Sequence, residues 1–168
     1  MSTEAKQVTD TLLEIRRRIS SSHHATDWQE ILQMVSPYLG KPSLAGIDRH
    51  HSDGLISMLW AVAGDCYREL GHPLESAEAY CTALRFRADT GFSEYYAEMV
   101  IKHSLTDHYS TAIQALEVSQ ENWQARPLWL RIFANLRSMW LDWREYKRLW
   151  CKRSKLLKQL HTLHNKGS

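Results

Sequence analysis

Residues 57–88 read SMLWAVAGDCYRELGHPLESAEAYCTALRFRA, two helical patterns that meet at a turn. Within it Trp60-x2-Ala63-Gly64-x2-Tyr67 is followed by Ser76-x3-Tyr80-x2-Ala83-Leu84. Ile56, Leu59, Ala63, Cys66, Tyr67 and Leu70 recur at spacings of three and four, which places them on one face of an α-helix. Gly71-His72-Pro73 then punctuates the pattern, with Gly ending one helix and Pro opening the next. The stretch is therefore a helix–turn–helix hairpin. Further along, Trp129, Ile132, Phe133, Leu136, Met139 and Trp140 repeat the same amphipathic spacing.

The hairpin resembles the tetratricopeptide signature, in which W-x2-L-G-x2-Y precedes a small residue, three more, and an aromatic. The steric logic of that signature fits here. Gly64 and Ser76 are small where two helices must approach closely, and Trp60, Tyr67 and Tyr80 are the large side chains beside them. Ala63 stands where Leu is usual, Ser76 where Ala is usual, and Ala88 where a closing Pro is common. Weaker copies align on the bulky residue opening each second helix, namely Trp28, Pro73, Tyr109 and Trp143, separated by 45, 36 and 34 residues. The family period is 34, and the extra residues of the first interval fit in a loop around Gly40 to Asp53. Asp27, Asp107 and Asp142 stand just before three of these openings, as helix N-caps would.

The expected fold is accordingly all-α: an α-solenoid of about four tetratricopeptide-like hairpins closed by a long basic C-terminal helix. Residues 1–40 would form a degenerate hairpin and 41–53 a loop, while 54–163 would carry the repeats and the capping helix, leaving 164–168 as a tail. The capping helix is placed at about Asp142 to Leu163, with Trp143, Tyr146, Trp150, Leu157 and Leu160 on one stripe.

Composition agrees with this class. The 168 residues are 43% hydrophobic and 24% charged with only 7 Gly and 4 Pro, which favours helix over a turn-rich β fold or disorder. No apolar run approaches eighteen residues and the N-terminus lacks a signal-peptide core, so a cytoplasmic protein without a membrane span is expected. Cys66, Cys81 and Cys151 are odd in number and lie within helical apolar patterns, which suits reduced, buried thiols. The net charge of +2 conceals a division. Met1 to Ala125 holds ten Lys/Arg against seventeen Asp/Glu, and Arg126 to Ser168 holds eleven against two.

Signatures of catalysis or metal binding are weak. His23-His24, His50-His51 and His161-x2-His164 lack the partner spacing of a metal frame. Gly40-Lys41 lacks the earlier Gly of a phosphate-binding loop. The densest reactive cluster, Asp48-Arg49-His50-His51-Ser52-Asp53, is assigned to the loop and is the best site for an enzyme. Five of the seven tryptophans crowd between Trp123 and Trp150, at spacings that suit buried faces except for Trp123, which precedes Arg126-Pro127.

The expected function is non-catalytic and cofactor-free: an adaptor, scaffold or chaperone that holds a protein or peptide segment. The resemblance implies a concave groove lined by the first helix of each hairpin. Its residues would be Met58, Ala61, Asp65 and Arg68, then Glu94, Ala97 and Ile101, then Leu128, Arg131 and Asn135. Relatives that clamp a chaperone's C-terminal carboxylate use a Lys/Asn pair here and further basic residues in the next hairpins. Arg131 and Asn135 match that pair but Ala61/Asp65 and Ala97/Ile101 do not, so no such clamp is expected. The alternative is a nucleic-acid or anionic-surface binder using Arg144, Lys147, Arg148, Lys152, Arg153, Lys155 and Lys158. A third reading is homo-oligomer formation, with the acidic part of one copy meeting the basic end of the next, head to tail.

Overall fold

A computed structural model describes residues 3–21, 27–87, 92–124 and 141–167, with side chains except at 20–21, 122–124, 141–150 and 167. Among the described residues every regular element is helical: seven α-helices and two 3-10 turns, with no strand. The chain forms two compact units, Met1–Arg87 and Ala88–Ser168.

The first unit contains α1 (Thr3–Ser21), α2 (Trp28–Val35), α3 (Arg49–Glu69) and α4 (Pro73–Phe86). Its core joins Val8 and Ile15 of α1 to Ile31 and Val35 of α2, Ile56, Leu59, Ala63 and Cys66 of α3, and Ala79 of α4. The outer side of α1 is tied by charge: Glu14 accepts from Arg17 at 2.8 Å and from Arg18 at 2.9 Å, and Arg18 reaches Glu30 of α2 at 2.6 Å. At the start of α2, the Asp27 carboxylate accepts from the Glu30 N–H at 3.0 Å, the cap expected from the sequence. Pro37, lacking an N–H, converts the chain after Val35 into the 3-10 turn Ser36–Tyr38.

The loop that follows is pinned at both ends. Glu4 of α1 takes the Lys41 ammonium and the Ala45 N–H, and the Leu44 N–H donates to Ser52 Oγ at 2.7 Å. The loop is shorter than the expected 41–53, because Asp48 caps a helix that begins at Arg49, its Oδ1 accepting from the His51 N–H at 3.1 Å. Arg49 to Asp53 are thus the opening turns of α3 rather than loop.

Helices α3 and α4 form the expected hairpin. The α3 end is a Schellman turn: Gly71 has φ +81°, its N–H donates to Arg68 O at 3.2 Å, and the His72 N–H donates to Tyr67 O at 2.8 Å. Pro73 then opens α4. Where the helices touch, Ser76 Oγ donates to Gly64 O at 2.8 Å and the buried Tyr80 ring lies over Gly64. Ser57 Oγ makes a matching bond to Ala83 O at 2.9 Å. Trp60 and Tyr67 are half-buried beside this seam.

The second unit contains α5 (Phe92–Lys102), a 3-10 turn (Thr106–His108), α6 (Tyr109–Gln124) and α7 (Leu141–Gly167). Tyr96 and Val100 of α5, Ala112 and Leu116 of α6 and Leu160 of α7 are each fully buried. Helix α5 also ends in a Schellman turn, but with Ser104 at φ +53° in the left-handed position; Ser104 N–H donates to Ile101 O and Leu105 N–H to Val100 O. The Tyr96 hydroxyl meets His108 Nδ1 at 2.8 Å, fixing the 3-10 turn that leads into α6. Helix α7 is already helical at Leu141 and continues to Gly167, so Asp142 lies inside it and 164–167 is helix rather than tail.

Candidate functional site

Helix α3 carries four of the expected groove residues. Met58 is exposed (47%), whereas Ala61 is buried (3%), its methyl small enough to be covered by its surroundings. Asp65 and Arg68, one helical turn apart, pair at 3.0 Å, and both converge on Tyr80 of α4. The Tyr80 hydroxyl donates to Asp65 Oδ1 at 2.6 Å and accepts from Arg68 Nη1 at 3.1 Å, while Arg68 Nη2 lies 3.1 Å from Glu69. Burying the aromatic ring demands a partner for its hydroxyl, and the α3 pair supplies it. Arg68 is therefore a braced residue of the hairpin, with most of its donors already engaged. The i, i+3 spacing of Asp65 and Arg68 permits their mutual pairing, although both are expected from the sequence as groove residues rather than as a pair. Their meeting with Tyr80 depends on hairpin register.

On α5 the outcome differs from the expectation. Glu94 (4% exposed) and Ala97 (0%) are buried, and Ile101 is half-buried, so the first two do not line an open surface. Arg153 of α7 is the physical reason for Glu94: its Nε donates to Glu94 Oε1 at 2.9 Å, its Nη2 joins the same oxygen, and Ser93 Oγ donates to Glu94 Oε2 at 3.0 Å. The side chains of Arg153 and Glu94 are only 13% and 5% exposed. A groove candidate and a basic-face candidate are thus each other's partners. Nothing in the local sequence signalled a pair separated by 59 residues.

Other members of the basic face divide. Lys152 pairs with Glu98 at 2.7 Å and lies 5.7 Å from the Tyr95 ring centre. Lys155 and Lys158 are exposed. Arg144, Lys147 and Arg148 lie on α7, but their side chains fall outside the described ones, as do those of Trp123, Trp143 and Trp150. Leu128, Arg131 and Asn135, the groove candidates of the fourth hairpin, fall outside the described residues altogether, as do Trp129, Trp140 and the pair His23-His24.

The Asp48–Asp53 cluster borders a surface pocket of about 410 Å³, whose lining includes Ser43, Leu44, Ile47, Arg49, Ser52 and Asp53. Arg49 faces Asp53 at 3.7 Å. His51 Nδ1 is 2.5 Å from Asp48 Oδ2, so the histidine is held by the cap rather than presented to Ser52, whose oxygen takes the Leu44 N–H. The His51 backbone and ring together hold the Asp48 carboxyl below its ordinary range. What these groups do is join the loop to α3.

Cys66 is fully buried, and burial, with the nearby Asp65 charge, pushes its thiol up to about 12, far from a reactive thiolate. Cys81 is half-buried and Cys151 exposed. Among the described residues no three His, Cys, Asp or Glu side chains gather as metal ligands, and no helix is long and apolar enough to cross a membrane. Compared with known proteins, the chain matches no family model, no curated protein and no solved structure.

Proposed function

We propose that the protein is a non-catalytic interaction module that holds a segment of a partner protein against the first helices of its hairpins, in a tetratricopeptide-like stack. The observation that carries this reading is the surface of α3. The Gly64–Ser76 seam brings α4 close to α3, while Met58 remains 47% exposed and the Asp65–Arg68 pair lies two to three turns further along. An adaptable apolar side chain near a fixed polar pair is the combination that lets a helix surface accept an extended or helical segment. An adaptor or chaperone acting in the cytoplasm fits such a surface.

The anionic-surface reading has less to stand on. Two of its cations, Lys152 and Arg153, are engaged by Glu98 and Glu94, which leaves Lys155 and Lys158 as its exposed described members. Counterion release from nucleic acid scales with the number of free cations, so each engaged one weakens it.

Substitution tests the proposal. Met58→Glu, Ile101→Ala and Arg131→Ala, each in the full-length chain, are expected to reduce partner capture by roughly tenfold or more, the range of an interface hot spot. Far-UV circular dichroism should show unchanged helicity. Undiminished capture by all three variants would move the binding surface elsewhere.

A further inference from the structure

Five turns of α3 carry one straight outer line. His51, Leu55, Met58, Val62, Asp65 and Glu69 follow at steps of four, three, four, three and four residues, which keeps them on a single face over about 27 Å. Leu55 and Val62 are half-buried, packed by their inner sides against the core of the first unit, and Met58 stands out between them. The other faces of the helix are engaged, with Ile56, Leu59, Ala63 and Cys66 in the core and Ser57 and Gly64 on α4. The outer line therefore has the three-and-four spacing of a seam between two helices, apolar in its middle.

Charge divides the ends of this line. At the opening end the exposed His51 ring, held by Asp48 through Nδ1, is joined by the Arg87 guanidinium, whose Nη1 lies 3.2 Å from where a Cβ on Gly54 would stand. At the closing end stand the Asp65 and Glu69 carboxylates, with Arg68 between them. A line that is basic at one end, apolar in the middle and acidic at the other complements itself when turned end for end.

We propose that α3 packs antiparallel against α3 of a second copy, across a two-fold axis between Met58 and Val62, as a reversible dimer. Met58 of each copy meets Val62 of the other, Leu55 meets Asp65, and His51 meets Glu69. Asp65 enters this seam with its carboxylate already held by Tyr80 and Arg68, so it brings no unpaired charge to Leu55. A parallel arrangement sets carboxylates against carboxylates and is disfavoured. The contact is isologous, which closes the assembly at two copies, unlike a head-to-tail contact. A few apolar layers and exposed end pairs make it a small interface that forms and parts readily. This surface is the one used in the proposed function, on which the inference rests for its consequence: a partner segment must displace the second copy.

Sedimentation velocity of the wild-type chain from about 5 to 500 µM reads the dimer, because a small interface dissociates within such a range. Wild type passes from monomer to dimer and no further, whereas Met58→Glu stays monomeric with unchanged helicity. A wild-type chain that is monomeric throughout overturns the proposal, as does growth beyond the dimer or a dimer indifferent to Met58→Glu. Register is tested by charge reversal at two exposed positions. His51→Glu and Glu69→Lys each weaken the dimer by roughly fivefold or more, and the double variant recovers to within about twofold of wild type, since each reversed charge again faces its opposite. Additive weakening in the double variant overturns the antiparallel pairing.

A cross-link reads the same geometry without a charge change. In a Cys151→Ser background, Met58→Cys chains mixed with Val62→Cys chains form the mixed disulfide faster than either forms its own, because the axis sets position 58 opposite position 62. Equal rates for all three pairs overturn the proposal. A monomer that still loses its partner on Met58→Glu would sink this inference and leave the proposed function standing; a Met58-dependent dimer whose partner capture ignores Met58 would do the opposite.

Discussion

At Gly64 the fold is settled by the absence of a single carbon. A Cβ there would sit 2.9 Å from the Tyr80 ring, and the ring cannot step aside while its hydroxyl is held by Asp65 at 2.6 Å and by Arg68. Gly64→Ala should therefore destabilise the protein by about 1–3 kcal/mol through overpacking, outweighing the helix propensity that Ala gains. Gly40→Ala, with nothing within 4 Å, should be nearly neutral. Urea unfolding of the two variants checks both; equal midpoints would mean the seam is loose. This contact was legible in the sequence because it follows from two small residues and one ring at hairpin spacing. Glu94 was not legible. An acidic residue on an amphipathic helix reads as solvated, and only the path of a distant helix brings Arg153 to cover it.

Helix boundaries are legible in the sequence where a local chemical signal fixes them and obscure where two signals compete. Asp27 and Pro73 mark helix starts as the sequence suggests, and α6 does open at Tyr109, but Asp107 lies inside the preceding 3-10 turn instead of capping α6, while Asp48, expected in the loop, is itself a cap and draws His50 and His51 into α3. The ends of α3 and α5 use the same turn with different residues, which allows a matched pair of substitutions. Gly71→Ala should cost about 1 kcal/mol because its φ of +81° disfavours a Cβ, and Ser104→Gly should gain up to about 1 kcal/mol by relieving φ +53°. Thermal unfolding should shift in opposite directions for the two; shifts of the same sign would contradict the turn geometry.

The charged side of α1 predicts a pH dependence. Hydrogen bonds from Arg17 and Arg18 lower the Glu14 pKa from 4.5 to about 2, and Lys41 with the Ala45 N–H lowers that of Glu4. Because these carboxyls titrate lower in the folded chain than in the unfolded one, their stabilisation is complete above about pH 5 and is lost as pH falls toward 2. The urea midpoint should fall across that window, and fall less steeply in Glu14→Gln. An unchanged slope would show that the Glu14 pairs contribute nothing to the acid limb.

Over the whole chain, the division between an acidic body and a basic end has a structural use inside the second unit. Lys152, Arg153 and His161 of α7 face Glu98, Glu94 and Glu117 of α5 and α6. Charge counting exposed the division but not its destination, since attraction within a chain and attraction between molecules leave the same pattern in sequence. The all-helical class was legible from periodicity and composition; the stacking of hairpins into a solenoid, like the partner they would hold, belongs to the proposal. Partner binding is tested most directly by affinity purification of the tagged chain from its source cells, with and without nuclease, beside the Met58→Glu variant. A partner-binding role predicts a protein that copurifies at fixed stoichiometry, survives nuclease and is depleted roughly tenfold with Met58→Glu. Recovery of nucleic acid instead, or of proteins lost on nuclease treatment and indifferent to Met58, would contradict it.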